Sequence, residues 1–321
     1  MIKVDNLSKH FCNVKAVDDI SFEVGEGETM VLLGTSGCGK TTTLKMLNRL
    51  IEPTSGSIFI NGKNIYDQQP ETLRRGIGYV LQNNGLFPHY TVAENIAVVP
   101  QLFNWDKEKI KSRTNELLEK LHLSAEYLNA YPNELSGGQQ QRVGLARALV
   151  ADAPVLLMDE PFGALDNVTR TKIHAEFKGL DELKKKTIIM VTHDMQEAFE
   201  LGDRICLMDK GAIVQQGTPA QLLFNPANDF VKDFLNEQRL QLEFKTIKLA
   251  DLWELLPANA NKSNPSLLSA DEGLWTALQT FKFTYRENLN IIKQQNREIK
   301  TVGFEQLMSA FYQFKQQQGH G

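Results

Sequence analysis

Residues 30–44, MVLLGTSGCGKTTTL, constrain the fold more than any other stretch of the chain. An apolar run stops at Gly34 and a helix pattern begins near Lys40, so the segment reads as a buried strand, a glycine loop and a helix start. Gly34, Gly39, Lys40 and Thr41 occupy the fixed positions of G-x-x-x-x-G-K-[ST]. In that pattern backbone N–H groups wrap phosphates, the lysine reaches the outer phosphates and the hydroxyl ligates magnesium. A Cβ at either glycine would block the close approach of the backbone. The helix that follows adds its positive end, so a polyanion meets amide dipoles as well as one ammonium group. Thr35, Ser36, Gly37 and Cys38 complete the loop and Thr42 follows it.

At 321 residues the chain has room for one large α/β domain and a smaller one, each with its own core. Its 35 Lys and Arg against 39 Asp and Glu give a net charge of −4, which does not mark a nucleic-acid binder. The only charge block, Lys184, Lys185 and Lys186, reads as a solvated helix end. Cys12, Cys38 and Cys206 are odd in number and scattered, which points to a reducing, cytosolic compartment without zinc. No apolar run reaches the ~18 residues that would span a bilayer and no leader pattern opens the chain, so a protein neither secreted nor embedded is expected.

Along the chain, residues 2–24 alternate apolar and polar in two short runs, IKVDNL and ISFEV, with a loop carrying His10 and Phe11 between them. A helix of about 41–50, the strand SIFIN and the strand 77–81 follow. From residue 83 the pattern changes. NNGLFPHY is turn-rich, Thr91 with Glu94 forms a capping box for a helix stopping by Pro100, and Asp106 opens a longer helix with Ile110, Leu117, Leu118 and Leu121 on one face. Residues 83–135 thus read as a helical insertion. A helix of about 137–151, VLLM at 155–158, a helix of about 167–186 and TIIMVT at 187–192 restore the alternation of strand and helix expected of a parallel sheet covered on both faces. RICLMDKGAIVQQG reads as a hairpin turning at Lys210 and Gly211.

Three further motifs carry chemistry. VLLMDE is an apolar strand ending in two acids. Asp159 at its end is suited to magnesium beside Thr41, and Glu160 could polarise a water for attack on a phosphate. LSGGQQQR begins at a helix start: Ser136 caps, Gln139 is the box partner, and the hydroxyl and two glycines make a second anion site. His193 follows TIIMVT and precedes Asp194.

The phosphate loop, Gln82, LSGGQ, the Asp159 and Glu160 pair, Ala164-Leu165-Asp166 and His193, in this order and spacing, resemble the nucleotide-binding subunit of an ABC transporter over residues 1–235. The resemblance implies a P-loop NTPase cassette of the α/β class, with a parallel-sheet core, an N-terminal antiparallel part and the helical insertion at 83–135. It implies ATP and Mg2+ as ligands, with Gly34, Thr35, Ser36, Gly37, Cys38, Gly39, Lys40, Thr41 and Thr42 on the phosphates and Phe11 under the adenine. It implies that Thr41, Gln82 and Asp159 serve the metal, and that Glu160 is the general base with His193 on the γ-phosphate and Gln82 sensing the attacking water. It also implies a head-to-tail dimer in which Leu135, Ser136, Gly137, Gly138 and Gln139 reach the partner's ATP and Asp166 couples the two copies. A thiol reagent is expected to inactivate the chain through Cys38, with ATP protecting it.

The strings YVLQNNGLFPHYTVAENIAVVPQLFNWDKEKI, PFGALDNVTR and VTHDMQEAFELGDRI resemble bacterial importer ATPases for quaternary-amine osmoprotectants such as glycine betaine, carnitine or choline. Importers of an amino acid or polyamine, and a non-transport ABC ATPase, are the alternatives. The implied partners are a second ATPase subunit, integral membrane permease subunits and, indirectly, an extracytoplasmic solute-binding protein. The implied place is the cytoplasmic face of the cell membrane. Residues 240–321 depart from the cassette pattern and read as a small α/β domain: helix over IKLADLWELL, loop, amphipathic helix, strand, turn, strand and helix. This order faintly resembles a single degenerate CBS motif, a regulatory or dimerisation unit, with another kind of cap as the alternative.

Overall fold

The computed structural model describes residues 2–82, 85–163, 165–258, 267–294 and 297–318. The chain divides into two compact units, Met1–Val214 and Gln215–Gly321. The first begins with a long hairpin of β1 (Ile2–Phe11) and β2 (Val14–Val24). His10 and Phe11 therefore belong to a strand, not to the loop expected from the sequence. Register shifts after Val4, Leu7 and Lys9 interrupt the pairing of the two strands, and Asn6 and Asp19 take left-handed backbone angles. Each bulge resets which face a residue occupies, so the period-2 signal breaks up although the strand continues. β4 (Ser55–Ile60) and β5 (Lys63–Asn64) complete an antiparallel sheet in the order β2-β1-β4-β5.

The second sheet of this unit is built on β3 (Thr29–Gly34), which leads through the glycine loop into α1 (Lys40–Leu47). After α2 (Pro70–Arg75) come β6 (Ile77–Val80), β7 (Val155–Asp159), β8 (Thr187–Val191), β9 (Arg204–Asp209) and β10 (Ala212–Gly217), in the order β10-β9-β3-β8-β7-β6. β6, β7, β8, β3 and β9 are mutually parallel, and Leu32 and Asp159 both pair with Val191. The carboxyl ends of β3, β6, β7 and β8 therefore share one edge, where ligands of open α/β sheets bind. β9 and β10 turn at Lys210 and Gly211, both at positive φ, as the paired left-handed residues of a tight hairpin require. Leu44, Met46 and Leu47 of α1 are fully buried in one apolar cluster with Val4, Val17 and Ile58 of the antiparallel sheet and Leu32, Leu157 and Ile189 of the parallel one.

Between β6 and β7 lie α3 (Val92–Leu102), α4 (Lys107–Lys120) and α5 (Gly137–Leu149). Thr91 and Glu94 form the capping box of α3 and Asp106 caps α4 through Lys109 N–H. Pro100 does not stop α3, which runs two residues further. α6 (Asn167–Gly179) is shorter than expected, and α7 (Met195–Leu201) follows β8. Because α6 ends at Gly179, Lys186 is not part of a solvated helix end. It is buried at the start of β8, where its Nζ donates to Asp152 Oδ1 at 2.7 Å and to the carbonyl of Ala153 at 2.8 Å.

The second unit holds α8 (Pro219–Phe224), α9 (Asp229–Asn236) and α10 (Arg239–Thr246), then β11 (Leu267–Ser269), α11 (Leu274–Thr284), β12 (Asn288–Lys293), β13 (Glu298–Gly303) and α12 (Phe304–Gln318). Its division from the first unit lies upstream of the 235–240 boundary drawn from the sequence. β11 runs parallel to β12 with α11 as the crossover, and β12 and β13 form an antiparallel hairpin. IKLADLWELL is not one continuous helix: it holds a single 3₁₀ turn, Trp253–Leu255. The chain turns at Ile247, Asp251 Oδ2 accepts from Lys248 N–H at 2.8 Å, and Lys248 bridges Gly273. β11 lies in a stretch expected as loop, and much of that loop, residues 259–266, lies outside the described residues. Leu249, Trp253, Leu274, Leu289, Ile291, Val302 and Phe311 build this unit's own core. Glu243, fully buried, is held by Arg239 Nε at 3.0 Å and Lys315 Nζ at 2.6 Å. No helix among the described residues is long and apolar enough to cross a membrane.

Candidate functional site

The glycine loop is shaped by what lies under it. Gly39, at φ 102°, is the residue before α1, and a Cβ there would stand 2.3 Å from the carbonyl oxygen of Ala16. At Gly34 it would stand 2.0 Å from the carbonyl oxygen of Met208. Only glycine lets the loop lie this close to β2 and β9. Lys40 is 6% exposed, and its Nζ donates to the carbonyls of Gly34 at 2.9 Å and Thr35 at 2.8 Å, which holds the ammonium inside the loop. Thr35 Oγ1 donates to Asp209 Oδ1 at 3.1 Å and anchors the loop to β9.

Around the loop lies a cavity of about 230 Å³, lined by Ala16, the residues Ser36, Gly37, Cys38, Gly39, Lys40, Thr41 and Thr42, and by Glu160 and His193. Thr41 Oγ1 donates to Asp159 Oδ1 at 2.9 Å. Burial at the end of β7 pushes the Asp159 carboxyl above its usual range, an effect the Thr41 hydrogen bond partly offsets. Glu160 takes a left-handed backbone angle, φ 44°, and its N–H donates to the carbonyl of Val191 at 2.9 Å. A non-glycine residue at positive φ is uncommon, and here the reversal parts two consecutive acids. Asp159 meets Thr41, while Glu160 Oε2 accepts from Gln82 Nε2 at 2.9 Å and lies 3.3 Å from His193 Nδ1. Residues emerging from β3, β7 and β8 thus line one cavity, and Gln82 after β6 and Asp159 at the end of β7 bond to the lining residues Glu160 and Thr41.

The other residues singled out in the sequence lie apart from it. Ser136 caps α5 and makes the full capping box with Gln139; Leu135 and Gly138 are buried, while Ser136 and Gly137 are exposed. None of them, nor Phe11, lines the cavity. Phe11 is 46% exposed, with Lys9 Nζ 5.0 Å from its ring centroid, so it is not a core phenylalanine. Asp166 Oδ1 accepts from Thr169 N–H at 3.0 Å, beside Leu165; Ala164 of the same string lies outside the described residues. Cys38 is 2% exposed and its side chain belongs to the apolar cluster around α1, so burial rather than the helix terminus governs its access to a thiol reagent.

Several residues that position the site carry no local signal. The buried amide of Asn95 accepts from Phe87 N–H at 2.8 Å and donates to the carbonyls of Phe87, Tyr90 and Thr91, fixing residues 87–91 downstream of Gln82. Arg147 Nη1 donates to the carbonyl of Gly85 at 2.8 Å. Gln141 of α5 donates to the carbonyl of Pro161, joining the LSGGQ helix to the residue after Glu160. A polar residue in an amphipathic helix could have flagged each of these as buried, but not what it holds.

The profile of the family described as ABC transporter matches residues 17–163. The glycine betaine/carnitine/choline transport ATP-binding protein OpuCA of Bacillus subtilis is 48% identical over 92% of this chain and 76% of its own length. The glycine betaine uptake system ATP-binding protein YehX of Escherichia coli is 44% identical over 96% of this chain and 99% of its own length. Among solved structures, the dimeric bacterial ABC transporter cassette MJ0796 superposes with a TM-score of 0.62 at 35% identity, covering 68% of this chain and 98% of that one. Another structure of that cassette, a post-hydrolysis state bound to ADP and Pi, gives a TM-score of 0.61. A phosphate loop, two acids, a glutamine and a histidine gathered at one sheet edge, in a chain this similar to ATP-binding subunits along most of its length, place it in the family: the chain is a member of the ABC transporter ATP-binding proteins.

Proposed function

We propose that this chain hydrolyses MgATP to energise import of osmoprotectants of the glycine betaine, carnitine and choline type through a separate membrane permease. Lys40, Thr41, Glu160 and His193 on one cavity, with Asp159 bonded to Thr41 and Gln82 to Glu160, carry the hydrolase reading. The named roles of OpuCA and YehX support the solute class.

In this reading the loop from Gly34 to Thr42 binds the phosphates, and Lys40 turns its ammonium from the carbonyls of Gly34 and Thr35 to the outer phosphates. The hydroxyl of Thr41, the carboxylate of Asp159 and the side-chain oxygen of Gln82 are hard donors of the kind Mg2+ takes, and the buried Asp159 is a negative charge that a cation would relieve. When bound, the ion neutralises charge on the transferring phosphoryl group. Glu160 accepts the proton of the attacking water. Gln82 and His193 hold its carboxylate at the cavity, and the His193 edge turned away from Glu160 serves the γ-phosphate. Positioning and charge neutralisation supply most of the rate.

Leu135, Ser136, Gly137, Gly138 and Gln139 are a second anion site on the N-terminus of α5. They serve the nucleotide of a partner copy, a role that the exposed Ser136 and Gly137 at the helix start support. Asp166 couples the two copies and Phe11, half-exposed, stacks the adenine. The subunit works on the cytoplasmic face of the membrane against permease subunits, with the solute-binding protein acting at a distance. The succession β11, α11, β12, β13, α12 supports a single CBS-like motif in the tail, acting in regulation or dimerisation.

The test uses the purified full chain. Glu160→Gln keeps ATP binding, loses hydrolysis and accumulates as an ATP-bound dimer on size exclusion; normal turnover in that variant would remove Glu160 from the mechanism.

A further inference from the structure

His193 is 61% exposed in its side chain, so its place over Glu160 depends on how the segment 192–194 is held. Thr192 Oγ1 donates to Glu197 Oε2 at 2.5 Å and accepts from Asp194 N–H at 3.0 Å. Asp194 divides its carboxylate between two tasks. Oδ1 caps α7, accepting from the N–H groups of Gln196 and Glu197. Oδ2 accepts from Arg170 Nη1 at 3.0 Å.

Arg170 stands on the first turn of α6 and spends its other terminal nitrogen differently. Nη2 donates to the carbonyl of Leu165 at 2.9 Å. Its Nε lies 3.8 Å from Glu197 Oε1, beyond hydrogen-bond reach, and has no other acceptor. One planar guanidinium therefore ties the residue before Asp166 to the residue after His193. Its side chain is 22% exposed and that of Asp194 26%, so the charged bond is largely shielded from water. An ammonium could not hold both acceptors in this fork geometry.

We propose that Arg170 is a positioning residue for the ATP reaction: its guanidinium sets the loop of Leu165 and Asp166 and the segment bearing His193 in a fixed register, so that His193 meets the nucleotide while Asp166 meets the partner copy. This rests on the hydrolase reading above and on the role given there to His193. The neighbouring elements have supports besides this contact. α7 keeps its cap from Asp194 Oδ1, and Phe162 packs edge-on against His174 and Phe177 of α6 independently of it. Loss of the guanidinium is therefore felt as misplacement of reacting groups, where an error of about 1 Å costs up to about a hundredfold in rate.

The experiment compares the full chain with Arg170→Gln, Arg170→Lys, Asp194→Asn and the double variant Arg170→Gln/Asp194→Asn, measuring kcat, KM, ATP affinity and the urea midpoint. Asp194→Asn keeps an oxygen for the cap of α7 and removes the charge that faces Arg170. Arg170→Gln is expected to lower kcat about ten- to a hundredfold with ATP affinity within about threefold of wild type. Asp194→Asn should fall in the same direction, the double variant should be no slower than the slower single one, and Arg170→Lys should recover part of kcat. Unchanged kcat in Arg170→Gln, additive losses in the double variant, or losses of kcat that follow ATP affinity and the urea midpoint would each overturn the inference. A wild-type chain that does not hydrolyse ATP would instead overturn the hydrolase reading, and this inference with it.

Discussion

Gly39→Ala puts the account of the phosphate loop under direct strain. Gly39 and Gly62 both take positive φ, 102° and 75°, so alanine at either carries a backbone cost of about 1–2 kcal/mol. At Gly62, in the turn between β4 and β5, the new Cβ meets nothing within 4 Å. At Gly39 it would stand 2.3 Å from the Ala16 carbonyl oxygen and 3.1 Å from Val17 Cγ2. Contacts below 3.0 Å are not sustained, so loop and β2 must part by at least the difference, 3.0 less 2.3, or 0.7 Å. Forced overpacking of this kind costs about 1–3 kcal/mol more. The separation occurs at the residue that opens α1 and beside Lys40, so nucleotide binding is lost along with stability. Urea unfolding with titration of a fluorescent ATP analogue reads both. Gly62→Ala should lose about 1 kcal/mol and bind normally; Gly39→Ala should lose about 3 kcal/mol and weaken ATP binding at least tenfold. Equal unfolding midpoints for the two variants, with ATP binding intact in both, would refute the claim that the loop is seated against Ala16.

Two further outcomes follow from buried charge. Glu243→Gln leaves Arg239 and Lys315 facing a neutral group in the second unit, and breaking such a pair costs about 3 kcal/mol; calorimetry of the full chain should show the second unit melting earlier with ATP binding kept, and an unchanged trace would contradict the pairing. His174 is buried against Phe162, which disfavours its charged form, but Glu197 at 3.6 Å and Glu200 at 3.8 Å outweigh that and raise its pKa above the ordinary value. A raised histidine stabilises the fold fully below the unfolded pKa of about 6.5 and ceases to do so as pH rises through the folded one. The stability difference between wild type and His174→Gln should therefore be larger near pH 6 than near pH 9, and a difference that grows with pH would be wrong in sign.

Contiguous chemistry was legible in the sequence and distant contact was not. The turn at Lys210 and Gly211, the caps at Thr91, Asp106 and Ser136, and the strand ending in Asp159 and Glu160 are local patterns, and the structure realises each. Lys186 looks like the third member of a solvated run, but Gly179 ends α6 and the following residues bring the lysine onto Asp152 and Ala153, partners more than 30 residues away. The stretch at Phe11 reads as loop because the bulges of β1 shift the alternation that announces a strand. β11 has three residues, and its parallel partner β12 lies beyond a whole helix. Arg170 and Asn95 act on backbone carbonyls brought close only by the fold, so nothing in their neighbours' identities announces them.

The central claim, ATP-driven import of a quaternary-amine solute, is tested most directly by uptake of labelled glycine betaine, carnitine and choline at high osmolarity. The cells would lack any other osmoprotectant system and carry either this chain or its Glu160→Gln variant, together with its permease subunits. The account predicts uptake of at least one of the three with the intact chain and its loss in the variant. Uptake of all three that is the same with both chains would contradict it.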